Sequence, residues 1–345
     1  FVFILIVTRS LSALLGVLSV FAINKLGEKL YNKKAGLFAA VILAFSEYSI
    51  YISQDARPYT FYLFFIIISY IGLVDFIKNP TQRNAIKYGV YVGLLLNFNF
   101  FGFINVFAQV ISLGIIFSKT NFSDLIKIVK KLIISGVISL VLFIPNIFKL
   151  NSLMSFKSSW IPAPTNETLG IILKEFLGNS EITLFLFTAV FIYFIFIAFN
   201  NNEDNLTKIN LTNNEFSFII ITVWVSVFLI VIYLKTYLDT SLYISRYFTS
   251  IIPAIFIIFG ISLSNIRSVI IKYLFLISIC IFMFMNLTIA RGHYRGPNKT
   301  QFREASEFII ENNKTNEPVF TGLKYWFDYY LGSKFNVVEK PNLES

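Results

Sequence analysis

The sequence predicts an all-α fold: a polytopic transmembrane helix bundle of about ten spans, with a small external α/β appendage at the C-terminus. Three observations lead there. Of the 345 residues, 56% are hydrophobic and 14% charged, whereas a soluble domain carries about 25% charged residues. Mean hydropathy is +0.70, and the apolar residues fall in runs near the roughly 17–25 residues that span a bilayer. The chain also holds 40 Phe and 18 Tyr. A water-soluble core of this size does not pack so many large aromatics, but lipid-facing helices accept Phe and their ends favour Tyr and Trp.

The runs lie at 10–26, 35–54, 57–77, 86–101, 103–118, 131–150, 182–199, 216–234, 247–264 and 271–290. Loop charge orients them. One set of loops holds Lys25, Lys29, Lys33, Lys34, Lys78, Arg83, Lys87, Lys119, Lys127, Lys130, Lys131, Lys208, Arg267 and Lys272; the other holds Arg9, Arg57, Lys149, Lys157, Lys174, Lys235 and Arg246. Fourteen against seven places the first set in the cytoplasm by the positive-inside rule. The external face then receives the loop at Asp55, the stretch 150–181, the loop around Asp239 and Arg246, and the tail. The expected domains are a bundle over 1–290 and an external segment over 291–345, with Asn200 to Glu215 as a cytoplasmic linker. Within the tail, Phe302, Ala305, Phe308 and Ile309 share a helical face, Glu317 to Gly322 reads as a short strand, and Trp326 to Leu331 is an aromatic cluster. Some 55 residues suit a lid or appendage better than an independent enzyme.

Composition also excludes function classes. The net charge of +10 is spread through short loops, not gathered on one helix, so it reads as membrane topology and not as a nucleic-acid surface. Cys280 and His293 are the single residues of their kinds, which rules out an intrachain disulfide, a CxxC pair and a multi-histidine metal site. Carboxylates, Arg, Lys and Tyr remain to do chemistry. No Gly-rich phosphate loop, Walker pattern or Rossmann fingerprint cradles a nucleotide. The chain opens at Phe1 inside an apolar stretch with no charged n-region or cleavage site, and is read as lacking its true start.

Ionisable groups at membrane depth are costly and mark functional sites unless they pair or snorkel. Four places at the external ends qualify. In Ser53-Gln-Asp55-Ala-Arg57-Pro-Tyr59, a carboxylate and a guanidinium either clamp an anionic head group and a metal or pair with each other. Pro58 biases Arg57 away from helix and allows a new helix to start. Ser245-Arg246-Tyr247, where a helix begins, is either a phosphate site built from a guanidinium and N-terminal amides or an interfacial anchor. Lys235 with Tyr237 and Asp239 is the third. Glu47, flanked by Tyr48 and Tyr51, is the fourth.

Thr8-Arg9-Ser10 with the Leu-rich run after it, Leu26-Gly-Glu-Lys-Leu-Tyr-Asn-Lys-Lys-Ala-Gly36 and Tyr51-Ile-Ser-Gln-Asp-Ala-Arg-Pro-Tyr59 follow one another in an order that resembles the GT-C superfamily of membrane glycosyltransferases. The nearest likeness is to bacterial relatives of protein O-mannosyltransferases and of lipid A aminoarabinose transferase. Trp160-Ile-Pro-Ala-Pro164, Ser245-Arg-Tyr-Phe-Thr-Ser-Ile-Ile-Pro253 and Phe302-Arg-Glu-Ala extend it along the chain. The resemblance implies inverting transfer of a sugar from a polyprenyl-phosphate carrier to a lipid, glycan or protein acceptor at the external face of the cell membrane. It implies a divalent cation and no nucleic acid. Asp55 and Arg57 match the family's acidic-Ala-Arg segment, and Arg246 and Tyr247 its Arg-Tyr donor motif. Donor-phosphate binding thus falls to Arg57, Tyr59, Lys235, Arg246 and Tyr247, and metal holding to Asp55. The family's catalytic base is expected upstream of Phe1, with Asp55 as the alternative. Ser46-Glu47 stands where the family often has Ser-Pro, and Asn99 where it has His. The runner-up function is a transporter or flippase of lipid-linked saccharides. It should show internal repeats and helices broken at the bilayer midplane, whereas the polar residues here crowd the external ends.

Overall fold

The computed structural model describes residues 2–118, 120–149, 161–199, 205–206, 211–290, 292–296 and 301–340. It divides into two compact units, Phe1–Asn286 and Leu287–Ser345. Trp160 and Lys157 lie outside the described residues, as does most of the stretch read as a linker.

The first unit is helical. In order it runs α1 (Val2–Leu30), α2 (Lys33–Phe45), α3 (Glu47–Ser53), α4 (Tyr59–Lys78), α5 (Gln82–Phe98), α6 (Gly102–Phe117), α7 (Phe122–Phe143), α8 (Thr168–Phe176), α9 (Glu181–Ala198), α10 (Asn213–Leu238), α11 (Ile252–Asn265) and α12 (Val269–Met285). A two-stranded antiparallel ribbon, β1 (Asn205–Leu206) with β2 (Leu211–Thr212), precedes α10. Short polar side chains set the helix starts. The side chains of Asn32, Thr81, Ser180, Thr212 and Ser268 accept backbone N–H groups at the N-termini of α2, α5, α9, α10 and α12, satisfying donors that lipid cannot. Ser46 both ends α2 and caps α3, and the chain bends there by 65°.

Ten apolar runs become helical, yet ten spans is a correction to make. Among the described residues seven helices are long and apolar enough to cross a membrane, or eight if α2 and α3 form one bent span. The excess lies in α5 and α6, of 17 and 16 residues. At about 1.5 Å per residue each reaches roughly 25 Å, short of the roughly 30 Å hydrocarbon layer. Sequence counting credited the first with the turn at Asn99 to Phe101 and accepted the second at 16 residues, below the spanning length. Because the two are consecutive, removing both from the count leaves every later loop on its original side.

One end of the bundle gathers the Lys-rich loops. Lys29 pairs with Asp75, and Lys78 donates to the Lys29 carbonyl at 2.5 Å. Lys131 reaches the Pro80 carbonyl at 2.5 Å, Tyr31 bonds Asn265 at 3.0 Å, and Ser217 bonds the Leu30 carbonyl at 2.7 Å. Segments assigned to one side from charge alone are therefore tied together.

Glycines let the helices approach. A Cβ on Gly36 would sit 2.2 Å from the Asn24 carbonyl oxygen, and one on Gly260 2.2 Å from that of Ala35, so α1, α2 and α11 pack backbone to backbone. In the buried centre Trp224 Nε1 donates to Asn105 Oδ1 at 3.0 Å, and Asn105 Nδ2 donates to the Tyr62 hydroxyl at 2.8 Å. Tyr70 stacks on Trp224 with ring centroids 3.6 Å apart. These bonds link α4, α6 and α10 by partners that hydrocarbon cannot replace.

The second unit holds α13 (Phe302–Asn312) and α14 (Lys324–Leu331), with β3 (Val319–Thr321) paired parallel to β4 (Val337–Glu339). The stretch read as an aromatic cluster is thus helix α14, whose Trp326 stacks on Phe302 at 5.4 Å.

Candidate functional site

The end of α4 opposite Lys78 carries the candidate site. Thr60 Oγ1 donates to the Ile52 carbonyl at 2.8 Å, and the Asp55 amide donates to the same carbonyl at 3.2 Å. Together they fold the five residues from Gln54 to Pro58 into a tight hinge between α3 and α4. Pro58, with φ at −71°, stands at the cap position of α4, where its missing N–H costs nothing. The hinge leaves Asp55 Oδ2 and Arg57 Nε 3.4 Å apart, the carboxylate 21% exposed and the guanidinium 55%. Of the two readings of this motif, the ion pair is present, and the exposure of Arg57 leaves donors for a further anion.

Tyr59, the first residue of α4, connects the hinge to a second segment. It lies within electrostatic reach of Arg246, Tyr247, Arg57 and Asp55. Arg246 sits between α10 and α11, ahead of a 3-10 turn at Phe248–Ile251. The turn corrects one expectation. The amides of Tyr247 and Phe248 are taken by the carbonyls of Ile244 and Ser245, at 2.9 and 3.0 Å, and α11 proper begins only at Ile252. Positive charge at this point therefore comes from the guanidinium, not from those amides.

Three elements hold the Arg246 segment. Thr249 Oγ1 donates to the Arg246 carbonyl at 2.8 Å and bonds the Tyr48 hydroxyl of α3 at 2.7 Å. Ser245 Oγ donates to the carboxylate of Glu175 on α8. The Tyr247 ring tilts against Phe101, at the head of α6, with centroids 4.6 Å apart. The Arg246 guanidinium carbon lies 5.6 Å from the Tyr247 ring centroid, a cation–π distance. Tyr48 in turn lies within electrostatic reach of Glu175, Tyr59 and Arg246, and its ring packs edge-on to Phe176 at 4.8 Å.

Other expected residues stand differently. Lys235 is ion-paired with Asp239 on the exposed end of α10. Glu47 is buried and accepts a hydrogen bond from Asn286 Nδ2. Glu175 went unnoticed in the sequence; the signal was an acid next to an apolar residue, Phe176, that the structure buries fully. Among the described residues no three His, Cys, Asp or Glu side chains gather as a metal site. Asp55, already paired with Arg57, does not make one alone.

Residues 4–148 match the model of the family described as dolichyl-phosphate-mannose-protein mannosyltransferase. That stretch contains Asp55, Arg57 and Tyr59 and excludes Arg246. Among solved structures the chain is similar to the oligosaccharyltransferase of Archaeoglobus fulgidus, crystallised as a complex with Zn and sulfate, with a TM-score of 0.54 and 12% identity. The superposition covers 97% of this chain and 51% of that one, so the chain spans about half the length of the structure it resembles. No curated protein matches the sequence. The resemblance carried by the motifs is borne out over residues 4–148 by the family match, and the chain shares the fold of the archaeal structure.

Proposed function

We propose that this chain is the membrane-embedded part of a glycosyltransferase that takes a sugar from a polyprenyl-phosphate carrier at the external face of the cell membrane and passes it, with inversion, to an acceptor hydroxyl. The observation that carries the proposal is that Arg57, Arg246, Tyr247 and Asp55 all lie within electrostatic reach of Tyr59, at the bundle end opposite the Lys-rich loops. A phosphate leaving group needs fixed positive charge more than a proton donor, and two arginines supply it where the site meets the bilayer edge. Arginine suits the task because its planar fork binds phosphate oxygens in pairs.

In this reading the acceptor oxygen attacks the anomeric carbon while the bond to the phosphate oxygen breaks, and the polyprenyl phosphate departs with the electron pair. Arg246 and Arg57 hold the phosphate, and Tyr247 and Tyr59 line its approach. The acceptor proton passes to a carboxylate. Asp55 is paired with Arg57, and Glu175 bonds Ser245, the neighbour of Arg246. Lys235, held by Asp239, draws anionic lipid toward the rim.

A photoreactive polyprenyl phosphate, added to membranes containing the protein, tests the placement. Crosslinks are expected in peptides that include Arg57 or Arg246, and unlabelled polyprenyl phosphate should compete them away. Crosslinks confined to the Lys-rich end would place the carrier elsewhere and refute the site.

A further inference from the structure

We infer that the cleft between α5, α6 and α7 binds an anionic phospholipid of the leaflet that carries the Lys-rich loops. This inference rests on the proposed transfer reaction only where Arg246 marks the sugar carrier's end of the bundle. The cleft encloses about 590 Å³, within the roughly 300–1,000 Å³ of ligand sites. Val92, Leu96, Val110, Leu113, Leu132 and Leu140 line it. The hydroxyls in its walls are already used: Ser135 and Ser139 donate to the carbonyls of Ala85 and Gly89, at 2.7 and 2.8 Å, and Tyr88 donates to Gln109 at 2.8 Å. Water would find few partners there, so at membrane depth the cleft takes hydrocarbon.

The cleft exists because its walls are drawn to different neighbours. A Cβ on Gly89 would lie 2.6 Å from the Ser135 carbonyl oxygen, so α7 is pressed onto α5, while α6 is drawn toward α10 through the Asn105–Trp224 bond. Gly114 of α6 and Gly136 of α7 widen the gap: both line the cleft, and a Cβ on either would meet nothing within 4 Å. Glycine in a helix interior is destabilising relative to alanine, and here no close helix contact requires it.

Charge decides the occupant. Residues 82–131 hold Arg83, Lys87, Lys119, Lys127, Lys130 and Lys131 against one acid, Asp124, and Asp124 is paired with Lys127. The cations of α7 alternate with the cleft residues Leu125, Ile128 and Leu132, and Lys131 is tied to Pro80 at the head of α5. At the far end Phe103 of α6 meets Phe143 edge-on at 5.2 Å. A lipid therefore enters with its phosphate at the cationic end, the end away from Arg246. That excludes the sugar carrier and fits an anionic phospholipid.

Native mass spectrometry of the purified chain, given equal phosphatidylglycerol and phosphatidylcholine, tests this. Wild type should retain one phosphatidylglycerol with about tenfold preference. G114F/G136F should lose that lipid about tenfold without a lower melting temperature. R83Q/K87Q/K130Q should keep a bound lipid but lose the preference. Equal phosphatidylglycerol retention by wild type and G114F/G136F would overturn the inference. So would a wild-type dimer that G114F/G136F disperses, since a second copy would then fill the cleft. If G114F/G136F does not fold, the charge variant decides alone: loss of preference supports the site and unchanged preference overturns it.

Discussion

Arg246→Ala is expected to lower consumption of a polyprenyl-phosphate-linked sugar by about 100-fold or more, while Arg246→Lys keeps a measurable part of the rate. The magnitude follows from removing a preorganised donor aimed at charge that develops in the transition state, worth about 3 kcal/mol in comparable sites. The geometry favours a large effect because the segment is held in place before any ligand arrives. Thr249 fixes the Arg246 carbonyl, Tyr48 fixes Thr249, and Glu175 fixes Ser245 next door. Lysine restores the charge but not the planar pair of donors, so it rescues in part. These three anchors do not use the guanidinium, so Arg246→Ala should melt within a few degrees of wild type. Equal turnover by wild type and the Ala variant would reduce Arg246 to an interfacial anchor.

Gly260→Leu is expected to lower stability by about 3 kcal/mol or more, at the upper end for overpacked cores. Its Cβ would meet the Ala35 carbonyl oxygen at 2.2 Å, the Ala35 carbonyl carbon at 3.1 Å and the Ala39 Cβ at 3.3 Å. Two of those atoms are backbone and cannot rotate away. The segment Phe248–Asn265, which holds α11, is also the most enclosed of the candidate spans among the described residues, with 89% of its spanning window buried, so neither helix can shift without disturbing α1, α2 and α9. Gly114→Leu is the matched control. It makes the same chemical change in another helix, but its Cβ enters open space. The fraction that stays monodisperse on size exclusion after stepwise heating separates the two. A Gly260→Leu protein as heat-resistant as Gly114→Leu would show that α2 and α11 do not pack as described.

The membrane bundle was legible in the sequence because lipid imposes a length on apolar runs, and the lysines of short loops marked segments that gather at one end of it. What escaped depends on geometry that run length does not carry. A single serine inside the apolar run 35–54 does not by itself announce the bend at Ser46; the break shows only once its side chain accepts the Ser49 amide. Helix α5 looked like a span because its apolar run carries on through the turn at Asn99 to Phe101, and α6 because a run of 16 residues was counted as long enough. Arg246 and Arg57 stood out since guanidinium groups are costly at the membrane edge. Glu175 did not, for it lies on a segment without the length of a span, and its contact with Ser245 crosses 70 residues of chain. The amides expected at Tyr247 were a matter of one turn's conformation, a 3-10 start instead of an α-helical one.

The most direct measurement is the fate of a radiolabelled polyprenyl-phosphate-linked sugar in sealed right-side-out vesicles that carry the protein. The account predicts that the label leaves the carrier and appears on an acceptor at the outer face, that free polyprenyl phosphate accumulates in equal amount, and that Arg246→Ala stops both. A donor that crosses the bilayer intact, with no loss of sugar and no free carrier, would contradict it and identify a flippase instead.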